Sequence, residues 1–236
     1  MQALSLGSFR PNRKRRPMNW YERLVTRSFS KLIYNCWRKG HKRGTSPATL
    51  SLHWFGHEML KSPTDLWVYQ EMISELRPDW IIESGTYRGG SALYLASLLD
   101  LLGHGQIATI DPHDYEGRPQ HPRIHYLKGS STDPAIVAQV HQLVRNDRCL
   151  VILDGDHSRD HVLNELTIYR ELVRTGDYLI VEDSCVNGHP VFRRHGPGPM
   201  EAIRSFLAND PNFQPDFEME RFLLTQNPSG FLKRVA

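Results

Sequence analysis

Two short stretches carry the acids best placed to do chemistry: VILDGDHSRDH (151–161) and YLIVEDS (178–184). Each is an apolar run ending in carboxylates, so each reads as a buried strand with acids at its carboxyl end. If the strands are neighbours, Asp154, Asp156, Glu182 and Asp183 converge. Carboxylates held together repel one another unless something positive lies among them. A hard, oxygen-seeking ion such as Mg2+ relieves that repulsion, and it can hold an acceptor hydroxyl and lower its pKa. His157 lies three residues past Asp154, close enough to take the proton. Its unperturbed pKa of about 6.5 suits general-base work near neutrality. The plainer alternatives are a solvated acidic loop, and a His157 that only orients Asp154 or caps the next helix.

The stretch WIIESGTYRGGSALYLA (80–96) is the second candidate. An apolar strand ends in Glu83, Gly85, Gly89 and Gly90 follow, and a helix-like pattern opens at Ser91. Glycine serves where the backbone turns sharply or comes close to a ligand. In open α/β sheets that ligand sits at the carboxyl ends of the strands. A further acid, Asp111, closes the strand QIATID (106–111), where it can accept both hydroxyls of a ribose. The turn lacks the G-x-G-x-x-G spacing of dinucleotide enzymes. It resembles the E/D-x-G-x-x-x-G motif of class I S-adenosylmethionine-dependent methyltransferases. The chemistry agrees, because S-adenosylmethionine brings a cationic sulfonium and a ribose diol rather than a pyrophosphate. A glycine turn needed only for close helix–strand packing is the alternative.

The elements that must position these groups alternate along the chain. Strands are expected at Trp80–Glu83, Gln106–Asp111, Ile124–Lys128, Leu150–Leu153 and Tyr178–Glu182. Helices are expected from Pro63 to about Leu76 and at Ser91–Leu102, Pro134–Val144 and His161–Val173. That alternation predicts an α/β fold with a mostly parallel sheet and helices on both faces. Phe222–Gln226 and Phe231–Val235 flank Asn-Pro-Ser-Gly and predict a terminal hairpin. In Gly129-Ser130-Ser131-Thr132-Asp133, the hydroxyls could meet an adenine or cap the next helix, with Asp133 before Pro134 as a good N-cap.

Charge divides the chain. Residues 1–43 hold 12 Lys/Arg against one acid, a balance of +11, whereas the remainder holds 17 against 25, a balance of −8. The chain therefore divides into a basic arm (1–43), partly disordered or helical, and one α/β domain (44–236). Trp20, Leu24, Phe29, Leu32, Ile33 and Trp37 make 19–39 a roughly amphipathic basic helix. Such an arm could attach to an anionic membrane surface or to nucleic acid, or pack on the body or on a neighbouring subunit. The aromatics favour the membrane. No apolar run approaches the roughly 18 residues of a membrane span. The N-terminus has no long apolar core after its charges, as a cleaved signal would. Cys36, Cys149 and Cys185 are far apart, without zinc spacing, which points to a reducing, cytoplasmic compartment, with a peripheral membrane location open.

Taken together, RPDWIIESGTYRGGSALYLASLL, ATIDP, IHYLKGSSTDP, VILDGDHSRDHVLNELTIYRELVRTGDYLIVEDS, GPGPMEAIRSFL and PSGFLKRV resemble the cephalosporin hydroxylase / rhamnosyl O-methyltransferase family across roughly 50–236. The resemblance implies a Rossmann-like methyltransferase fold, with a seven-stranded sheet and an antiparallel last strand. It implies S-adenosylmethionine as donor and Mg2+ held by Asp154, Glu182 and Asp183, with Asp156 an alternative to Asp154. Carried over by position, Glu83, Gly85, Gly89, Ser91 and Asp111 bind the donor; Thr86, Tyr87, Gly90, Ser130, Ser131 and Asp154 are the further candidates around it. Catechol-type methyltransferases place a lysine base where His157 stands. The implied acceptor is a sugar, glycolipid or natural-product hydroxyl, and a homo-oligomer is expected. The arm 1–43 has no counterpart. A donor-binding accessory protein of a hydroxylase is the other reading. A nucleic-acid enzyme is disfavoured by LDGDH, which stands where base-methylating enzymes carry an Asn/Asp-Pro-Pro motif.

The loop NGHPVFRRHGPGP (187–199) is of a length and composition that suit an acceptor lid.

Overall fold

The computed structural model describes residues 51–236 throughout, and residues 19–22, 24, 25, 28, 31 and 32 of the arm. Apart from Asn19, the described arm residues are helical. Asn19 Oδ1 accepts the Glu22 N–H at 2.9 Å and Glu22 Oε2 accepts the Asn19 N–H at 2.7 Å, a reciprocal cap. Phe29, Ile33 and Trp37 lie outside the described residues.

The body opens with an antiparallel hairpin, β1 (Ser51–Trp54) and β2 (His57–Leu60). Helix α1 (Pro63–Leu76) follows, then β3 (Trp80–Ser84), α2 (Gly90–Leu102), β4 (Gln106–Asp111), β5 (Ile124–Lys128), α3 (Pro134–Val144) and β6 (Cys149–Leu153). The chain continues with α4 (Arg159–Tyr169), β7 (Tyr178–Val181), α5 (Pro199–Asn209), β8 (Phe213–Pro215) and β9 (Phe231–Arg234). Seven strands form one sheet in the order β5-β4-β3-β6-β7-β9-β8. The first five are parallel, and β9 runs antiparallel to both β7 and β8.

The central strands are apolar because the sheet is covered on both faces. Alternate side chains enter two separate cores. Ile82, Val151 and Leu153 pack with Val140, Leu166 and Phe206 from α3, α4 and α5. Ile81, Leu150 and Ile152 pack with Tyr69, Ile73, Leu95 and Leu99 from α1 and α2. Asp133 caps α3 through the Ala135 N–H at 2.8 Å.

One expectation is corrected. The partner of Phe231–Arg234 at the sheet edge is Phe213–Pro215, not Phe222–Gln226. Thr225, Gln226 and Asn227 are buried and make bonds of another kind: the Gln226 N–H donates to Asp65 and the Asn227 side-chain amide to Tyr69. Their polar groups serve the site below instead of a ladder. Among the described residues, no helix is long and apolar enough to cross a membrane.

Candidate active site

From β3 the chain runs outward through β4 to β5 and then crosses back to β6 on the other side of β3, so a crevice opens at the carboxyl ends where the strand order reverses. A cavity of about 600 Å³ fills it. Its floor is Ser84–Tyr87 and its walls include Asp111, Ser130, Ser131, Asp154 and Asp183, while residues 58–61, from β2 onward, form the roof.

The glycines here serve close backbone approach. A Cβ on Gly85 would lie 1.9 Å from the Asp154 carbonyl oxygen, and Gly85 has φ +87°. A Cβ on Gly90 would lie 2.2 Å from the Glu58 carbonyl oxygen. Gly85 thus lets β3 and β6 diverge side by side, and Gly90 lets the hairpin sit on the start of α2. Gly89 lies off the cavity, whereas Thr86, Tyr87, Gly90 and Ser91 line it.

Asp111 faces the cavity from the end of β4. Its Oδ2 accepts the Tyr87 N–H and its Oδ1 the His113 N–H, both at 2.8 Å. Both oxygens are thereby fixed while keeping a further lone pair for a ligand. Glu83 is placed differently. It is fully buried behind the cavity, where Oε2 accepts the Thr109 hydroxyl at 2.7 Å and Oε1 has no hydrogen-bond partner. Burial raises its pKa, against the pull of Lys61. Ser131 donates to Glu165 at 2.6 Å, and Ser130 pairs with Thr132 at 3.1 Å.

The acids after β6 and β7 do meet. Single donor atoms of Asp154, His157 and Asp183 lie within 4.8 Å of one another. His157 Nε2 is 3.3 Å from Asp154 and 3.6 Å from Asp183. Burial opposes its charge, but the bond to Asp154 and the carboxylates of Asp154, Asp183 and Glu182 push its pKa up to about 9. Asp183 takes a left-handed backbone, φ 52°, and its N–H donates to Asn227 at 3.1 Å. Non-glycine residues in this region are uncommon and cluster at functional sites. Burial and the charge of Asp154 raise its pKa. Asp156 lines the cavity, but its Oδ1 is engaged in the local turn, accepting the Ser158 N–H at 2.7 Å.

Glu182 is not part of this trio and is bonded to other partners. Its Oε1 accepts from Lys61 Nζ at 2.6 Å and from the Tyr69 hydroxyl at 2.7 Å. Lys61, only 3% exposed, reaches Asp154 with the same Nζ, also at 2.6 Å. Burial works against the ammonium, yet Asp154, Glu182 and Glu83 hold its pKa well above the ordinary lysine range. Lys61, Tyr69 and Asn227 were absent from the sequence-based candidates. They stand far from the acidic stretches, and only the fold joins them.

A second cavity, of about 550 Å³, abuts the first and shares Asp156 and His157 with it. Its other walls are Ser158–Asp160 and Arg194–Pro197, the latter from the loop between β7 and α5. His157 and His195 stack obliquely across it, with ring centroids 6.5 Å apart.

Comparisons with known proteins follow the same outline. Residues 48–235 match the family model "Rhamnosyl O-methyltransferase/CmcI". A rhamnosyl O-methyltransferase of Mycobacterium bovis BCG is 43% identical over 190 residues, 77% of each chain. One from Mycobacterium leprae is 39% identical over 189 residues, 77% of this chain and 82% of the other. Among solved structures, CmcI with Mg and SAM superposes with a TM-score of 0.60 at 27% identity, covering 78% of this chain and 77% of that one. The site therefore sits in the part of the chain that carries the likeness, and the chain belongs to the rhamnosyl O-methyltransferase/CmcI family.

Proposed function

We propose that this chain is an S-adenosylmethionine-dependent, Mg2+-assisted O-methyltransferase acting on a hydroxyl of a sugar, glycolipid or natural-product scaffold. The observation that carries this reading is the convergence, in one cavity, of Asp111 with the cluster Asp154, His157 and Asp183. The cavity suits a cationic donor. Among the described residues, Lys61 is the single Lys or Arg that lines it, and Lys61 is already bonded to two carboxylates. Among those residues a phosphate ligand would find acids and no unpaired Lys or Arg, whereas a sulfonium suits the acids. CmcI, the structural relative at 27% identity, has been solved with Mg and SAM.

Asp111 would hold the ribose hydroxyls, and Ser130 and Ser131 would edge the adenine. The donor set also fits a hard cation, since Asp154 and Asp183 offer carboxylate oxygens within one small volume. These two residues would hold Mg2+, which when bound acts as a Lewis acid and lowers the pKa of an acceptor hydroxyl. The acceptor enters from the second cavity, where polar walls and the loop carrying Arg194 and His195 suit a sugar and would close over it. His157 faces both cavities; the carboxylates that push its pKa up to about 9 keep it protonated near neutrality, so Nε2 would take the hydroxyl proton when a cation beside Asp154 and Asp183 offsets them. The oxygen then bonds to the methyl carbon as the carbon–sulfur bond breaks and its electron pair stays on sulfur. Positioning by the two cavities supplies much of the rate. A non-catalytic accessory role draws no specific support from this arrangement.

The basic arm would bring the enzyme to an anionic membrane surface, where a glycolipid acceptor resides. That reading rests on the exposed Trp20, Tyr21, Leu24 and Leu32 beside the +11 charge balance of residues 1–43.

The test is incubation with methyl-labelled donor, Mg2+ and either rhamnose-bearing glycolipids or an extract of the producing cells. EDTA-sensitive label in an acceptor is expected, reduced at least 100-fold by Asp154→Asn combined with Asp183→Asn. Absence of label, or label indifferent to both EDTA and that double change, would overturn the proposal.

A further inference from the structure

Lys61 is the least expected feature of the site. It lies one residue beyond β2 and is 93 positions from Asp154 and 121 from Glu182. Its ammonium touches one carboxylate from each of the two strand ends at the same 2.6 Å. Both partners are largely buried, with side chains 17% and 3% exposed. Glu182 is fixed further by Tyr69, and Tyr69 in turn accepts from the Asn227 side-chain amide at 3.1 Å. Asn227 then accepts the Asp183 N–H. A closed set of bonds therefore runs from one metal-ligand candidate, Asp154, to the other, Asp183, through a buried cation.

Four acids, Glu83, Asp154, Glu182 and Asp183, crowd this end of the sheet. A buried carboxylate cluster without a counter-charge is strongly destabilising. We propose that Lys61 is a stand-in cation: it holds Asp154 and Glu182 together in the metal-free protein and competes with the divalent ion for Asp154. Lys61 is thus a positioning residue. It keeps the site assembled between metal-binding events, and it weakens metal binding enough for the ion to exchange. A divalent ion held by Asp154 would take over the charge that Lys61 otherwise balances there, leaving the ammonium to Glu182.

This inference rests on the Mg2+ reading above, and the experiment separates the two. Mg2+ is titrated calorimetrically into the full chain, with no methyl donor, and unfolding is followed with EDTA or with Mg2+. Lys61→Met removes the competing charge. It is expected to bind Mg2+ at least tenfold more tightly than the wild type. Its melting temperature should fall in EDTA and be largely recovered by Mg2+, a larger shift than in the wild type. Lys61→Gln, which can still donate hydrogen bonds to both carboxylates, should fold more readily and show the same tightening. Equal or weaker Mg2+ binding in Lys61→Gln, with wild-type binding present and abolished by Asp183→Asn, would overturn the role of Lys61 and leave the metal reading intact. No Mg2+ binding by the wild type would overturn both. A purely structural lysine would lower the melting temperature in EDTA and in Mg2+ alike, without tightening the metal.

Discussion

At the scale of single residues, Asp111 makes the sharpest claim about the donor. Both its oxygens are held by backbone N–H groups, so its carboxylate is oriented before any ligand arrives. A hydrogen bond to a charged group contributes about 1.5–3 kcal/mol. Asp111→Asn should therefore weaken S-adenosylhomocysteine binding about 10- to 100-fold in calorimetry. Mg2+ affinity should be unaffected, because Asp111 lies outside the Asp154–His157–Asp183 cluster. An unchanged nucleoside affinity would remove Asp111 from the donor site. The acids Asp111, Asp154 and Asp183 were legible in the sequence because each ends an apolar strand, and parallel strands bring their ends to one edge. Glu83 obeyed the same pattern, yet it sits behind the floor with one oxygen unpartnered. Strand-end position fixes the edge but not which way a side chain turns. Lys61 was illegible for the opposite reason: its role depends on a hairpin folding over a sheet that forms later in the chain.

At the scale of elements, the four inner parallel strands β4, β3, β6 and β7 could be read directly, since burial on both faces makes each a largely apolar run, whereas the edge strand β5, IHYLK, is half-buried and carries a weaker pattern. The hairpin β1–β2 could not be read this way. Residues 52–60 mix exposed, half-buried and, at Met59, buried positions, and Phe55 at the turn is exposed. Strand β8 has three residues and lies at an edge, so it leaves almost no pattern. The hairpin matters because Glu58, Met59, Leu60 and Lys61 roof the cavity. It is seated by Gly90, where a methyl group would press on the Glu58 carbonyl. Gly90→Ala should then lift the roof. The expected result is a loss of about 2–4 kcal/mol in stability, since backbone cannot yield as a side-chain end does. S-adenosylhomocysteine affinity should fall more than tenfold. Chemical denaturation and calorimetry on the same preparation measure both. A variant of wild-type stability and affinity would show that the hairpin is not held by this contact.

At the scale of the whole molecule, the uneven charge supports the proposal that the arm and the body have different tasks. Residues 44–236 carry a balance of −8 and include the acid-lined cavity, while residues 1–43 carry +11. On the proposed membrane reading, an acidic body would be repelled by anionic headgroups and the arm would supply the attraction. Its described helical residues place Trp20, Tyr21, Leu24, Val25 and Leu32 at the surface, with Trp20 76% exposed. Aromatic and aliphatic side chains beside basic ones suit the headgroup boundary. Basic residues near an anionic surface contribute roughly 1 kcal/mol each, so several acting together give measurable partitioning. The full chain should co-sediment with vesicles containing anionic phospholipid and remain in solution with purely zwitterionic ones. Raising the salt to about 0.5 M should release it, as screening shortens the reach of the charges. Trp20→Glu with Leu24→Glu should abolish sedimentation while leaving methyl transfer to a water-soluble acceptor unchanged, because neither residue lines either cavity. If the double variant instead changes the oligomeric mass in light scattering and sediments like the wild type, the arm joins subunits and the membrane reading fails.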